Sequence, residues 1–274
     1  MVTRNEAELL RLNLAHHLAW GFDHAAIADN RSTDATRDVL LSFGDRVTSM
    51  TVEDPNDRFA ALRTLVAEIE LRHGTVSWVA QSDTDEFWWA PGETFAAVVS
   101  RAPERIMSIH SNQKLFLPTE SDPTSGPVYG RMTFRTSGPN SPLHTSYRGG
   151  KSIYRGVWAR EHEITSAHGC PRVPADQRAH TSGRLVHHYM IDGEDSFAQK
   201  VESLSRWGVR ARLGAFKQEW RRIYDEGGEA AVREYYRTRY VISRDALPGH
   251  VERGELLRDT GFAEYMAARG MGSG

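Results

Sequence analysis

Between Glu6 and Trp20 the apolar residues Leu9, Leu10, Leu14 and Leu18 recur at helical spacing, and Gly21 supplies a stop, so the chain opens with a helix. A short apolar run from Phe22 to Ala28 then reads as a strand that ends in the polar stretch Asp29-Asn30-Arg31-Ser32-Thr33-Asp34-Ala35-Thr36. Ser32, Thr33 or Asp34 can cap a second helix from Arg37 to Phe43. Val47 to Val52 is a strand, Asp57 to His73 a helix with Phe59, Leu62, Val66 and Ile69 on one face, and Val76 to Ala80 a buried strand. Strands alternating with helices predict an α/β fold with a mostly parallel central sheet flanked by helices.

Beyond this the pattern loosens. Thr94 to Arg101 is a short helix, Arg105 to Leu117 is extended, and 118–142, rich in Pro, Gly, Ser and Thr, reads as a mobile loop or lid. Lys151 to Trp158, Glu163 to Ala167 and Arg184 to Tyr189 are strand candidates. From Asp195 onward the pattern is helical, with Phe197, Val201 and Leu204 on one face, then Phe216 to Tyr224 and Glu229 to Tyr240. The division expected is a catalytic domain over 1–194, a helical extension packed on it over 195–269, and a disordered tail over 270–274.

Composition narrows the partners. With 34 basic and 36 acidic residues among 274, the formal charge of −2 gives no whole-protein field of the kind that attracts nucleic acid. Trp220, Arg221, Arg222, Tyr224, Tyr235, Tyr236, Arg237, Arg239 and Tyr240 would suit nucleic acid or a membrane surface. The interspersed Glu219, Asp225, Glu226 and Glu234 favour amphipathic helices with aromatics inward and arginines outward. The single cysteine, Cys170, excludes an intrachain disulfide framework and fits a reducing, cytoplasmic setting. No segment is apolar for long enough to span a membrane, which leaves peripheral contact as the only membrane association expected.

The candidate chemistry follows the strand that ends at Ala80: Ser82-Asp83-Thr84-Asp85-Glu86-Phe87-Trp88-Trp89. Asp83 and Asp85 are hard oxygen ligands two residues apart, suited to Mg²⁺ or Mn²⁺, whose shell water and substrate phosphate would complete. A nucleoside diphosphate is then the natural ligand. In open α/β sheets ligands bind beyond the carboxyl ends of the strands, and the Asp29 loop and the Asp83 loop both follow such ends. Neither holds a glycine-rich phosphate cradle, which disfavours a dinucleotide-binding dehydrogenase or a P-loop NTPase. Asp29 can instead accept hydrogen bonds from a nucleobase N–H or from ribose hydroxyls.

Asn5-Glu6, His16-His17-Leu18-Ala19-Trp20-Gly21-Phe22-Asp23, Asp29 to Thr36 and Trp78 to Trp88, in that order and spacing, resemble the family 2 type glycosyltransferases of GT-A fold. The likeness covers roughly the first hundred residues well; four ordered motifs form a more specific signal than any one of them. It implies a GT-A-like nucleotide-diphospho-sugar transferase fold with a helical C-terminal extension, and a metal-dependent transfer from a nucleotide sugar, UDP-sugar foremost, to an acceptor hydroxyl. The acceptor, a saccharide, a small molecule or a cell-surface polymer precursor, is left open. Carried onto the matching motifs, the resemblance puts Thr3, Arg4, Glu6, Asp29, Asn30, Arg31, Asp34 and Thr84 around the donor. It sets Asp83 near ribose and metal, and makes Asp85 a ligand of the metal bridging the diphosphate.

The likeness thins with Lys151-Ser152-Ile153-Tyr154-Arg155, with His168 and with His188-Tyr189. Lys151 and Arg155 would add positive charge near the diphosphate, and His188 or His168 would be a third metal ligand, imidazole being suited to Mn²⁺. Alternation over Arg184 to Tyr189 sets Val186 and His188 on one face and Leu185, His187 and Tyr189 on the other. His16 and His17 are expected to orient the first loop or to pack. Two departures stand out: Asp192-Gly193 occupies a place where relatives carry a basic residue and a serine, and only Met1 to Arg4 precede Asn5-Glu6, so the first strand is short or its start trimmed. An inverting transfer needs a carboxylate base, for which Glu161, Glu163 and Asp192 are candidates. The other functions to be separated from this one are a nucleotidyltransferase of related fold and a non-catalytic sugar-nucleotide-binding protein.

Overall fold

The computed structural model describes all residues except 55–56, 144–149, 163–171, 182, 206–213 and 272–274. Its elements run β1 (Val2–Thr3), α1 (Ala7–Trp20), β2 (Ala25–Asp29), α2 (Thr36–Ser42), β3 (Val47–Thr51), α3 (Arg58–His73), β4 (Trp78–Ala80), β5 (Glu86–Trp88), α4 (Phe95–Ser100), β6 (Ser108–Ser111), β7 (Gln113–Leu115), α5 (Val128–Arg131) and β8 (Phe134–Thr136). There follow β9 (Lys151–Arg155), α6 (Gly156–Glu161), β10 (Arg178–His180), β11 (Val186–His188), α7 (Glu194–Ser205), α8 (Ala215–Arg239, broken at Gly228), α9 (Leu247–Glu252), β12 (Leu256–Arg258) and α10 (Gly261–Ala267). The chain is mixed α/β. It divides into one unit of Met1–Gln113, Tyr147–His188 and Met266–Gly274 and a second of Lys114–Ser146 and Tyr189–Tyr265.

In the first unit β1, β2 and β3 form a parallel sheet with β2 central. Its register sets Thr3, Asp29 and Thr51 side by side at the carboxyl ends. Successive side chains of a strand face opposite ways. Ile27 accordingly meets Leu10 and Leu14 of α1 and Val39 and Leu40 of α2, while Ala28 meets Val52 and Ala61 on the α3 side. The helical repeat read from the leucines thus locates the core face of α1. That face also buries Asn13, His16 and His17, which hydrophobic spacing does not show. His16 Nε2 lies 2.8 Å from the Trp88 carbonyl oxygen and the Trp88 N–H donates to His17 Nε2 at 3.0 Å, so the two histidines hold β5 rather than the first loop.

A second sheet has the order β10-β6-β9-β4, with β10 and β6 parallel and β9 antiparallel to both its neighbours. It pairs Ala80 with Ile153 and Ser111 with Lys151, which carries the loop after β4 to the start of β9. β5 pairs antiparallel with β11, setting His188 opposite Glu86. The strand expected from Lys151 to Trp158 stops at Arg155, and α6 begins at Gly156. A Cβ there would stand 1.7 Å from the Val76 carbonyl oxygen, so this close crossing of two backbones admits only glycine. The strand expected over Glu163 to Ala167 lies outside the described residues.

In the second unit Phe197, Val201 and Leu204 of α7 pack with Trp220, Val232 and Tyr236 of α8, and the Trp220 indole N–H donates to the Tyr240 hydroxyl at 2.7 Å. The inward aromatic face of these helices is the one their periodicity proposes. Residues 118–142, read from composition as loop, contain α5 and β8. β8 forms by pairing with β12, whose residues lie more than a hundred positions later and are invisible to local composition.

Gly150, at φ +64, leads into Lys151, and a Cβ on it would fall 2.2 Å from the Ser111 carbonyl oxygen. Gly92 has a similar φ of +70 with nothing within 4 Å of its Cβ position. Gly92→Ala is therefore expected to cost only the left-handed strain, about 1 kcal/mol. Gly150→Ala adds displacement of the β6 backbone, for about 3 kcal/mol or more in total. Urea unfolding of the two variants measures the difference.

Candidate functional site

The first loop is built by hydrogen bonds between the segments that leave β1 and β2. Asp29, almost wholly buried, accepts from the Ser32 N–H (3.0 Å) and hydroxyl (2.6 Å), with Arg31 in the left-handed region at φ 56. Asn30 donates to the Val52 carbonyl at 2.9 Å, and Arg4 donates to the Asn30 carbonyl and side-chain oxygens at 3.3 and 3.1 Å. Asp34 accepts from Ala7 N–H at 3.2 Å and Thr36 N–H at 3.0 Å, so its carboxylate caps the starts of both α1 and α2. Burial works against ionisation of Asp34, yet the hydrogen bonds from Thr36 and Ala7 prevail and hold its pKa below the usual range. Arg31 is exposed.

Glu6 joins this loop to the second. Its Oε2 accepts from the Thr3 hydroxyl at 3.1 Å and the Thr84 hydroxyl at 2.5 Å. Its backbone N–H donates to the Thr36 hydroxyl at 3.2 Å, so Glu6 links the end of the Asp29 loop to Thr84, about fifty residues away in sequence.

In the second loop Asp83 to Glu86 make a turn, closed by the Glu86 N–H on the Asp83 carbonyl at 3.1 Å. The fully buried Glu86 carboxylate takes a donor on each oxygen: Asp83 N–H (2.8 Å) and Lys151 Nζ (2.8 Å) on Oε2, Gln113 Nε2 (2.8 Å) on Oε1. Lys151 is itself fully buried and also reaches Asp83 Oδ2 at 2.9 Å, whose side chain is 57% exposed. Burial and the charges of Asp83 and Asp85 push Glu86 up to about 7 against the pull of Lys151. Burial would lower Lys151, but Asp83 and Glu86 prevail and raise it.

Asp85 and His188 are both buried, with His188 Nε2 3.6 Å from Asp85 Oδ1 and 3.9 Å from Glu86 Oε1. Ligand atoms of Asp85, Glu86 and His188 all lie within 4.8 Å of one another. Two ligands of a small divalent cation stand ~3 to ~4 Å apart, since each bond is about 2 Å long. Two carboxylates and an imidazole at this spacing are a donor set that fits Mn²⁺ or Mg²⁺.

Of the residues expected from the sequence, Thr3, Arg4, Glu6, Asp29, Asn30, Asp34, Thr84, Asp83, Asp85 and His188 are placed on these two loops and on β11. Lys151 serves the buried ion network. Arg155 is four residues further along β9, about 13 Å at strand rise. Its guanidinium donates to the carbonyls of Ile106, Ala102 and Pro103 and lies over the Trp78 ring. Glu161 is exposed at the end of α6, which leaves β9 at the end opposite Lys151. Asp192 belongs to the second unit and accepts from the Ser196 hydroxyl at 2.6 Å. Glu163 and His168 lie outside the described residues. Glu86 and Gln113 are not among the site residues that the sequence motifs bring forward. A charged residue opening the run Phe87-Trp88-Trp89 was the available signal for Glu86, because a carboxylate on a buried strand requires partners.

No family model and no curated protein matches the chain. Among solved structures it is similar to TarS of S. aureus (15% identity, TM-score 0.40, over 80% of this chain and 41% of that one). It is also similar to glucosyl-3-phosphoglycerate synthase from Mycobacterium tuberculosis in complex with phosphoglyceric acid (16%, TM-score 0.42, 77% and 79%). A third is the mannosyltransferase PcManGT from Pyrobaculum calidifontis in complex with GDP-Man and Mn²⁺ (14%, TM-score 0.38, 98% and 77%). The chain thus spans less than half of TarS. At TM-scores this low the resemblances are loose, and the chemistry of the site rests on the chain's own residues.

Removing one partner of a buried ion pair costs about 3–5 kcal/mol because the other charge is left uncompensated. Lys151→Met is expected to lose that much at pH 8. Because Glu86 holds its proton more tightly folded than unfolded, it draws stability away as pH rises from 4.5 toward 7. The Lys151→Met deficit should therefore shrink toward pH 5, where Glu86 is protonated. Lys151→Met/Glu86→Gln should recover most of the loss at pH 8, which urea unfolding at the two pH values checks.

Proposed function

We propose that this chain is a GT-A-like glycosyltransferase that transfers a sugar, with inversion, from a nucleotide donor, UDP-sugar foremost, to an acceptor hydroxyl with the help of Mn²⁺ or Mg²⁺. The observation that carries the reading is the Asp85, Glu86 and His188 cluster, joined through Thr84 and Glu6 to the Asp29 loop. A cation site and a set of nucleoside-contact candidates are thereby tied together beyond strand ends, where open α/β sheets bind ligands. The ordered motifs from Asn5 to Trp88 support the same reading.

Asp85 and His188 would hold the cation, with Glu86 as a third oxygen donor or as the charge that completes the site. A bound divalent cation supplies Lewis-acid neutralisation of the departing diphosphate, worth several kcal/mol of transition-state stabilisation. The chain's own residues do the rest. Asp29 accepts hydrogen bonds from the nucleoside, and Asp83, the most exposed of the three acids, meets the ribose. Lys151 offsets one of three neighbouring carboxylates, leaving the net negative charge that attracts a dication. The acceptor hydroxyl requires a carboxylate base, for which Glu163 and Asp192 are the candidates, Glu161 lying on α6 beyond the end of β9 opposite Lys151.

Calorimetry with UDP, with and without Mn²⁺, tests the assignment. Asp85→Ala and His188→Ala should lower the Mn²⁺-dependent affinity by about tenfold or more, leaving the metal-free affinity unchanged. Asp29→Ala should weaken UDP binding in both conditions. Unchanged Mn²⁺ dependence in Asp85→Ala would reject the metal site. Incubation with UDP-sugars should release UDP; pyrophosphate release from UTP and a sugar phosphate would indicate a nucleotidyltransferase instead, and binding with no turnover a sensor.

A further inference from the structure

The two backbone carbonyls that flank Asp85 are both fixed by one residue of α1. The Asn13 amide nitrogen donates to the Thr84 carbonyl oxygen at 2.9 Å and to the Glu86 carbonyl oxygen at 2.8 Å, spanning the backbone on either side of Asp85. Its own oxygen is 2.8 Å from His17 Nδ1, and His17 Nε2 is 3.0 Å from the Trp88 backbone nitrogen. A backbone N–H can only donate, so Nε2 is the acceptor. In the neutral ring Nδ1 then carries the proton and donates to Asn13 Oδ1. That in turn commits the Asn13 NH₂ to the two carbonyls, which can only accept. The result is a closed ring of hydrogen bonds, from Trp88 through His17 and Asn13 back to Glu86 on the same strand. Asn13, Trp88 and Glu86 are fully buried and His17 nearly so.

We infer that Asn13 and His17 are positioning residues for the metal site: they set the backbone on which Asp85 is presented, with His17 fixing the orientation of the Asn13 amide. The inference rests on the reading of Asp85 as a metal ligand. Each link is determined by donor and acceptor chemistry, so the ring has one arrangement of protons and cannot be inverted by an amide flip. Burial holds His17 well below the usual imidazole range, which keeps it in the neutral form the ring needs. Residues that orient ligands in this way are commonly worth about 10- to 100-fold in metal affinity.

The test uses two substitutions of His17 that each keep one half of its function. His17→Asn places an amide N–H near the Nδ1 position and keeps the donor to Asn13, leaving the Trp88 N–H without its acceptor. His17→Gln reaches the Nε2 position and keeps the acceptor, losing the donor. His17→Asn should lose more thermal stability and keep its Mn²⁺-dependent UDP affinity within about threefold. His17→Gln and Asn13→Ala should lose about tenfold or more of that affinity with metal-free UDP binding unchanged. ¹⁵N NMR of the wild-type chain without metal should show His17 protonated at Nδ1 at pH 7. A ring protonated at Nε2, or Mn²⁺-dependent affinity that simply follows melting temperature across the three variants, would overturn the inference. Wild-type UDP binding that ignores Mn²⁺ overturns the functional reading and this inference with it. Failure of the clamp alone is recognised by normal Mn²⁺ dependence in wild type and in Asn13→Ala alike.

Discussion

The candidate site depends on one buried carboxylate. Glu86 is wholly removed from water and would be too costly to keep there without partners. Lys151 at 2.8 Å offers about 6 kcal/mol of attraction at an effective dielectric of roughly 20. Desolvating two ions costs several kcal/mol each, so the pair adds little net stability; its consequence is geometric. Glu86 accepts from Lys151, Gln113 and the Asp83 N–H, and a carboxylate with donors on both oxygens has no freedom to turn. The turn from Asp83 to Glu86 is thereby fixed, and Asp85 with it.

From this fixed turn the site extends in two directions. Thr84 reaches Glu6, and through it the loop that carries Asp29, Asn30 and Asp34. Glu86 sits opposite His188 in the β5 and β11 pairing, which brings an imidazole to two carboxylates without any local sequence relation between them. The second loop is held on its other side by α1, whose Asn13, His16 and His17 replace part of the apolar stripe with hydrogen bonds to β5. A helix that looks like ordinary core packing is also the support of the acidic turn.

Much of the first unit could be read from the chain. Leucine spacing gave the core face of α1, the alternation of strands and helices gave the parallel sheet, and the capping residues around Ser32 to Thr36 marked the start of α2, although the cap itself comes from Asp34 and serves two helices. Alternation placed His188 on the face opposite His187, and His187 indeed meets the Trp89 ring. Less legible were β8, which exists only by pairing with β12, and the end of β9 at Gly156, which a close backbone crossing imposes.

The sequence by itself determined which residue types stand at which strand ends, because periodicity and turn chemistry are local and act within a few residues. It brought forward Asp29, Asp83 and Asp85 as candidate site residues, and the helices as amphipathic. Tertiary structure alone decided how those residues are used. Lys151, expected to face a diphosphate, is enclosed between Glu86 and Asp83, and Arg155 turns to backbone carbonyls and the Trp78 ring. Asn13 and Gln113, unremarkable in sequence, became partners of the acidic turn. Local pattern specifies faces and ends, whereas the partner of a buried charge or amide is chosen by whichever distant segment the fold sets beside it.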